Sequence, residues 1–333
     1  MSDVRRLALA AGDRRTLAEA CERLDRHDIV SKADDFVIEA QLQAARLSSE
    51  LRRALLEFRR FGHPSGGLLI KGVPTDRLSP APGRADDPRG AGAAALSVLI
   101  ACLGDQYGFR PELGGNIVQD ILPVQGFERQ QISVGSTVDL HAHTETAFSP
   151  YRPDYVALLC LRPDHEHRAG TTLSSIDAML PLLDEPIIEV LRKPRFRTKI
   201  DSSFLIGDNL SDDVCIDPIC VFEGAERRPR LRVDFDGANG TIGNDPVAQR
   251  AVEALRDAAI RAQIVVRLEA GEILILDNNR AVHGRTPFVP RYDGQDRWLL
   301  RAFVTRDLGR SEGVRPGDGR VVQPDYLAEE ASA

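Results

Sequence analysis

The stretch LHAHTETAF, residues 140–148, carries two histidines and a glutamate at alternate positions: His141, His143 and Glu145. Alternate residues of an extended strand share a face, so all three side chains can point into one cavity. The stretch then reads as a complete metal site, as part of one completed from elsewhere, or as a polar strand edge. Two side chains do not hold a catalytic metal firmly. A third donor stands in DNNRAVHGRTPF, where His283 follows the apolar strand pattern EILILDN. Two histidines and one carboxylate on one face of an octahedral metal leave positions open, as in non-haem Fe(II) oxygenases.

The rest of the second half has the rhythm of the opening stretch. NIVQDILPV, STVDLHAH, DYVALLCLR, CVFEG, PRLRVDF, QIVVRLEAG, EILILDN and RWLLRAFVTR are short apolar or branched runs separated by Gly, Pro, Asn and Asp. Helical spacing interrupts them at 175–193 and 246–263. No helix follows each strand, which predicts a sandwich or barrel instead of a doubly wound sheet. Upstream, Phe36, Ala40, Leu47, Leu51, Leu55 and Phe58 recur at helical spacing and predict one long amphipathic helix over 34–61. GGLLIKGVP then reads as a buried strand, and an Ala/Leu-rich helix is expected over 91–103.

Composition bounds the partners. The 333 residues are 42% hydrophobic and 28% charged with a net charge of −7, a globular balance without the basic footprint of a nucleic-acid binder. No run approaches the roughly 18 apolar residues of a membrane span. The N-terminus does not read as a secretory signal, so a cytoplasmic protein is expected. Five scattered cysteines without a CxxC pair suggest neither a disulfide framework nor a thiolate zinc site. His165 and His167 in RPDHEHRAG invite a second metal site, but a solvated turn is the preferred reading, since no third ligand is evident nearby.

Fourteen residues beyond His283, RWLLRAF places Arg297 and Arg301 four apart on one strand face among apolar neighbours. A guanidinium there can clamp a carboxylate with two parallel hydrogen bonds. Together HTETAF, YRPDYVALLCLR, the AGTT turn, DNNRAVHGRT and PRYDGQDRWLLRAFV resemble the clavaminate synthase-like (TauD-type) Fe(II)/2-oxoglutarate oxygenases. The likeness is nearest to the asparagine and arginine hydroxylases of nonribosomal peptide antibiotic biosynthesis, and it is collinear from about Gly66 to Gly317.

The resemblance implies a mainly β fold with flanking helices and a double-stranded β-helix, or jelly roll, at its core. It implies one oxygenase domain over 1–333: helical decoration at 1–65, jelly-roll core at 66–317 with a lid near 202–215, and a loose tail at 318–333. His143, Glu145 and His283 would hold Fe(II), with His141 a neighbour and not a ligand. Arg297 would bind the distal carboxylate of the cosubstrate 2-oxoglutarate, and Thr172 of the AGTT turn would hydrogen-bond it, although Thr171 is an equally close match. Arg301 would take an amino acid's α-carboxylate, Glu112 its α-ammonium and Ser133 a further polar contact. Asp234 and Asp236 of the DFD turn would meet the side chain, and two carboxylates converging there favour a cation. The implied reaction is O2-dependent hydroxylation of a free basic L-amino acid, arginine or lysine or a derivative, at Cβ or Cγ, coupled to decarboxylation of 2-oxoglutarate to succinate. Related halogenases replace the carboxylate ligand with a small residue, so Glu145 disfavours halogenation. The rival readings are a hydroxylase of an aminoacyl group tethered to a carrier protein and a jelly-roll binding protein without chemistry.

Overall fold

The computed structural model describes residues 3–24, 29–75, 89–205 and 214–324. Two sheets dominate. In the larger, hydrogen-bonded neighbours run Arg5–Ala8, Gly67–Lys71, Glu272–Asp277, Tyr155–Arg162, Trp298–Thr305, Asp105–Phe109 and Val321–Val322, with Gln119–Ile121 also on Trp298–Thr305. The smaller orders Ile264–Val266, Thr171–Ser175, Ala281–Arg285 and Leu140–His143. A three-stranded sheet and a two-stranded ribbon complete the β structure. No helix among the described residues is long and apolar enough to cross a membrane.

The strand Trp298–Thr305 shows why these segments read as continuous apolar runs. Every residue in it is buried. Trp298, Leu300, Ala302 and Val304 pack into the core beneath the helices, whereas Leu299 and Phe303 enter the core shared by the two sheets. A strand covered on both faces loses the polar alternation of a half-exposed one. Arg301 has the parity of Leu299 and Phe303, so it faces the space between the sheets. A third core lies behind the smaller sheet, under the helix Pro246–Arg261.

Several expectations are corrected. The long N-terminal helix is two, Ala33–Ala44 and Ser49–Phe61, broken at Ser48. Ser48 caps the second helix by accepting from the Leu51 N–H, and Asp13 holds both the Ser48 N–H and its hydroxyl. The predicted apolar positions are all still buried. The helix expected over 175–193 is Ile176–Met179, a 3-10 turn and Glu185–Leu191, because Pro181 and Pro186 each restart it. The first 65 residues are not only helical: Arg5–Ala8 adds an edge strand parallel to Gly67–Lys71. Nor does a loose tail begin at 318, since Val321–Val322 pairs parallel with Gly108 and Phe109 and Val322 is buried. The lid expected near 202–215 falls mostly on 206–213, and the last tail residues on 325–333, outside the described residues.

Candidate metal and cosubstrate site

His143 ends the strand Leu140–His143, and its register partner on the neighbouring strand is His283. Directly paired residues of an antiparallel ladder share a face, so the two imidazoles lie side by side with ring centroids 4.5 Å apart. Gly284 makes the strand approach close: a Cβ there would meet the Leu140 carbonyl at 2.3 Å. Glu145 sits in the turn after His143. Its backbone N–H donates to Asn278 Oδ1 at 2.8 Å, and the Asn278 amide donates back to the Glu145 and Pro153 carbonyls. Thr144 is fixed to Val233 by two hydrogen bonds. The turn is therefore held rigid before any ligand arrives.

Glu145 Oε2 lies 3.3 Å from His283 Nε2 and 4.0 Å from His143 Nε2. One donor atom from each residue falls within 4.8 Å of the others. The His143 Nδ1–H donates to the His141 carbonyl at 2.8 Å, which fixes the tautomer and leaves the Nε2 lone pair facing inward. Burial would drive the Glu145 carboxyl up, but the Arg301 guanidinium and His283 outweigh it and hold the group far below its ordinary range. Burial and His143 push His283 down, toward the neutral form a metal needs. Two inward imidazole nitrogens and a buried carboxylate fit a divalent metal of the iron type.

Arg301 binds three groups: Gln119 Oε1 at 2.7 Å, Glu145 Oε1 at 3.0 Å and Glu112 Oε2 at 2.5 Å. Glu112 is thus brought to the site, and burial pushes its carboxyl up to about 7 against the pull of Arg301. Arg297 differs. It is only 7% exposed and, among the described residues, makes no hydrogen bond or ion pair; its guanidinium stands 5.8 Å from the Phe288 ring. Burial lowers its pKa, and Cys160 and Asp164 oppose that only in part. A buried guanidinium without a counter-ion is an anion site in waiting.

The DFD turn reaches the same region. Asp234 forms an isolated bridge with His143, and its carboxylate accepts the Asp236 N–H at 2.9 Å. Burial raises the Asp234 pKa. His141, not aimed with the triad, contacts Asp236 Oδ1 at 3.1 Å. Ser133 contributes its carbonyl to Arg285 at 3.4 Å, and its hydroxyl makes no hydrogen bond among the described residues.

Strand parity corrects one position. Thr171 pairs with Arg285 and Leu173 with His283, and Leu173 lies in the core between the sheets. Thr172 pairs with Gly284 and Val265 on the other face, with Ser174, whose hydroxyl donates to the Ala259 carbonyl of the covering helix. Thr171, not Thr172, shares the inward face with His283. The two adjacent threonines could not be told apart without the register.

His165 and His167 diverge. His167 meets Glu269 at 3.3 Å, while His165 Nε2 lies 3.4 Å from Asp293 and 3.5 Å from Asp296. Those carboxylates already accept N–H groups of Gln295, Arg291 and Tyr292, which explains the cluster as a turn staple. The residues that sequence reading missed are Gln119, Asn278 and Arg285. The run DNN before His283 and HGR after it carried two of them in plain view.

Known proteins place the site in context. The profile of the family described as "Taurine catabolism dioxygenase TauD, TfdA family" matches residues 40–303. L-asparagine oxygenase of Streptomyces coelicolor is 42% identical over 82% of this chain and 80% of its own length. L-lysine 3-hydroxylase of Catenulispora acidiphila is 36% identical over 96% of this chain and 89% of its own. Among solved structures, asparagine oxygenase with Fe(II), 2S,3S-3-hydroxyasparagine and succinate superposes with a TM-score of 0.85 at 36% identity, covering 96% of this chain and 99% of that one. The non-heme iron oxygenase OrfP with Fe, succinate and (3S)-hydroxy-L-Arg gives 0.85 at 31% identity, covering 96% and 100%. With the matched profile spanning His143, Glu145, His283, Arg297 and Arg301, the chain belongs to the TauD/TfdA dioxygenase family.

Proposed function

We propose that this protein is an Fe(II)/2-oxoglutarate-dependent hydroxylase of a free basic L-amino acid, acting in the cytoplasm from a jelly-roll core formed by its two main sheets. The observation that carries the reading is the pairing of the inward His143–Glu145–His283 set with Arg297, a buried cation lacking an anion. His143, Glu145 and His283 would hold the iron, which when bound supplies O2 activation coupled to decarboxylation of the 2-oxo acid. Arg297 would clamp the distal carboxylate of 2-oxoglutarate, with Thr171 on the same inward face.

The chain's own residues account for the rest. Arg301 and Glu112 form a cation–anion pair suited to a zwitterion, the guanidinium meeting the α-carboxylate and the carboxylate the α-ammonium. Asp234 and Asp236 present two acidic groups toward the side-chain end. His141 beside Asp236 acts as an internal partner that a substrate cation displaces. The relatives named for asparagine and for lysine bracket the choice of side chain, and the paired aspartates favour the basic one.

The test is a panel of free L-Arg, L-Lys, L-Asn and L-Glu with Fe(II) and 2-oxoglutarate, read by mass spectrometry for a gain of one oxygen and by succinate formation. Largest turnover with a basic amino acid is expected. Absence of coupled succinate with every free amino acid sinks the reading in favour of a tethered substrate.

A further inference from the structure

Arg285 is 4% exposed and lies on the inward face two residues beyond His283. Its Nη1–H groups donate to the carbonyls of Gly135 at 2.6 Å and Ser133 at 3.4 Å, and its Nη2–H to that of Val138 at 3.3 Å. Its Nε–H is buried without a partner, and among the described residues no carboxylate comes within ion-pair reach. Its guanidinium stands 5.3 Å from the Phe288 ring, the ring that Arg297 approaches at 5.8 Å. Phe288 is itself tied to the same segment, its N–H donating to the Ser136 carbonyl. Two buried guanidiniums thus share one aromatic ring and, among the described residues, neither has a carboxylate in ion-pair contact; Asp139 and Asp164 act on them only without direct contact, and neutral carbonyls solvate the second charge without cancelling it.

Such an arrangement is strained electrostatically until an anion enters. In the segment 133–138 the amides of Gly135, Ser136 and Thr137 bond within the loop, to Ile132 and Glu128, and the segment's other backbone ties are the Val134 carbonyl to the Val124 N–H and the Ser136 carbonyl to the Phe288 N–H. Arg285 ties three of its carbonyls to the strand Ala281–Arg285, and that tie loses repulsion when a carboxylate neutralises Arg297.

The geometry points to Arg285 as a positioning residue that holds the 133–138 segment over the cosubstrate cavity, so that the order of this segment and the affinity for 2-oxoglutarate rise together. This rests on the assignment of Arg297 to the distal carboxylate. It adds that the cosubstrate and the loop carrying Ser133 are linked through one side chain.

Hydrogen exchange across residues 124–140, with and without 2-oxoglutarate, tests it in the Mn(II)-loaded wild-type protein. Slower exchange at 135–137 on binding is expected. Binding without that protection overturns the inference while leaving the proposed function intact, and no binding at all overturns both. In Arg285→Gln and Arg285→Lys, the segment should exchange faster and the Kd for 2-oxoglutarate rise about tenfold, as for other supporting residues. The KM for 2-oxoglutarate should rise accordingly, with kcat changing by less than about twofold. Arg285→Lys keeps the charge but cannot span three carbonyls. A Lys variant with wild-type exchange and affinity refutes the positioning role, as does faster exchange with unchanged affinity. The wild-type arm decides the matter even if both variants fail to fold.

Discussion

Replacing Arg297 by methionine should stabilise the ligand-free protein while destroying its hold on 2-oxoglutarate. The guanidinium is buried and without a hydrogen bond among the described residues, so desolvation of several kcal/mol is opposed chiefly by the Phe288 ring, worth about 0.5–2 kcal/mol. Methionine keeps the apolar stem and drops the charge, for a net gain of about 1–3 kcal/mol. At roughly 2.1 cal/mol/K per residue, a chain of 333 residues unfolds with an entropy near 0.7 kcal/mol/K, so the midpoint should rise by about 1–4 °C. Losing a buried, hydrogen-bonded charge pair costs about 2–5 kcal/mol, which raises the Kd for 2-oxoglutarate about 30-fold to several thousand-fold. Calorimetric unfolding without ligand and titration with 2-oxoglutarate give the two numbers. Arg301→Met is the internal contrast: it leaves the Glu112 and Glu145 carboxylates buried without their cation and should destabilise by about 3–5 kcal/mol. A ligand-free Arg297→Met protein that melts lower than wild type, or binds 2-oxoglutarate equally well, refutes the reasoning.

Four further outcomes follow from the same geometry. Glu145→Ala should lose divalent-metal affinity beyond the 10–100-fold typical of an outer partner, measured by Mn(II) titration. With Glu112 pushed up to about 7 and in the role proposed for it, the KM for the amino acid should fall as pH rises through that value, because the carboxylate form would receive the α-ammonium; Glu112→Gln should flatten the profile. Burial raises Asp277 to about 6, so the folded state holds its proton more tightly than the unfolded one. Its contribution is full below the ordinary carboxylate range and lost as pH rises through about 6, and Asp277→Asn should gain up to about 3 kcal/mol at neutral pH in urea unfolding. Gly284→Ala, whose Cβ would press on the Leu140 carbonyl, should cost about 1–3 kcal/mol or more and weaken metal binding by parting His143 from His283.

What the sequence made legible, and what it hid, divides along physical lines. That His143, Glu145 and His283 converge was suggested by strand alternation only weakly, and the collinear resemblance drew the three together; the structure brings one donor atom of each within 4.8 Å of the others. Arg297 and Arg301 were readable because charge inside an apolar run demands a reason. The helix break at Ser48 was hidden, since the apolar spacing continues across it and only Asp13, 35 residues away, supplies the cap partner. Thr171 and Thr172 were ambiguous because a one-residue shift inverts the face, and only the pairing with Ala281–Arg285 decides it. Arg285 was passed over because its hydrogen-bond partners are three backbone carbonyls of a distant loop and no side chain.

The charge balance around Arg301 bears directly on free against tethered substrates. In the ligand-free site one guanidinium answers two carboxylates, Glu145 and Glu112, and a metal at the triad would take up the excess negative charge. A zwitterion adds no net charge: under the proposed assignment its carboxylate would replace Glu112 on Arg301 and its ammonium would compensate Glu112, so every buried charge would keep an opposite partner. An aminoacyl thioester brings only the ammonium. It could draw Glu112 away, but it would leave Arg301 facing a neutral carbonyl with Glu145 as its sole anion, and Glu145 is needed by the metal. Burying a half-compensated guanidinium costs more than burying a matched pair. With Arg301 and Glu112 in the roles proposed, the pair would favour a substrate carrying both charges, which a free amino acid does and a tethered one does not.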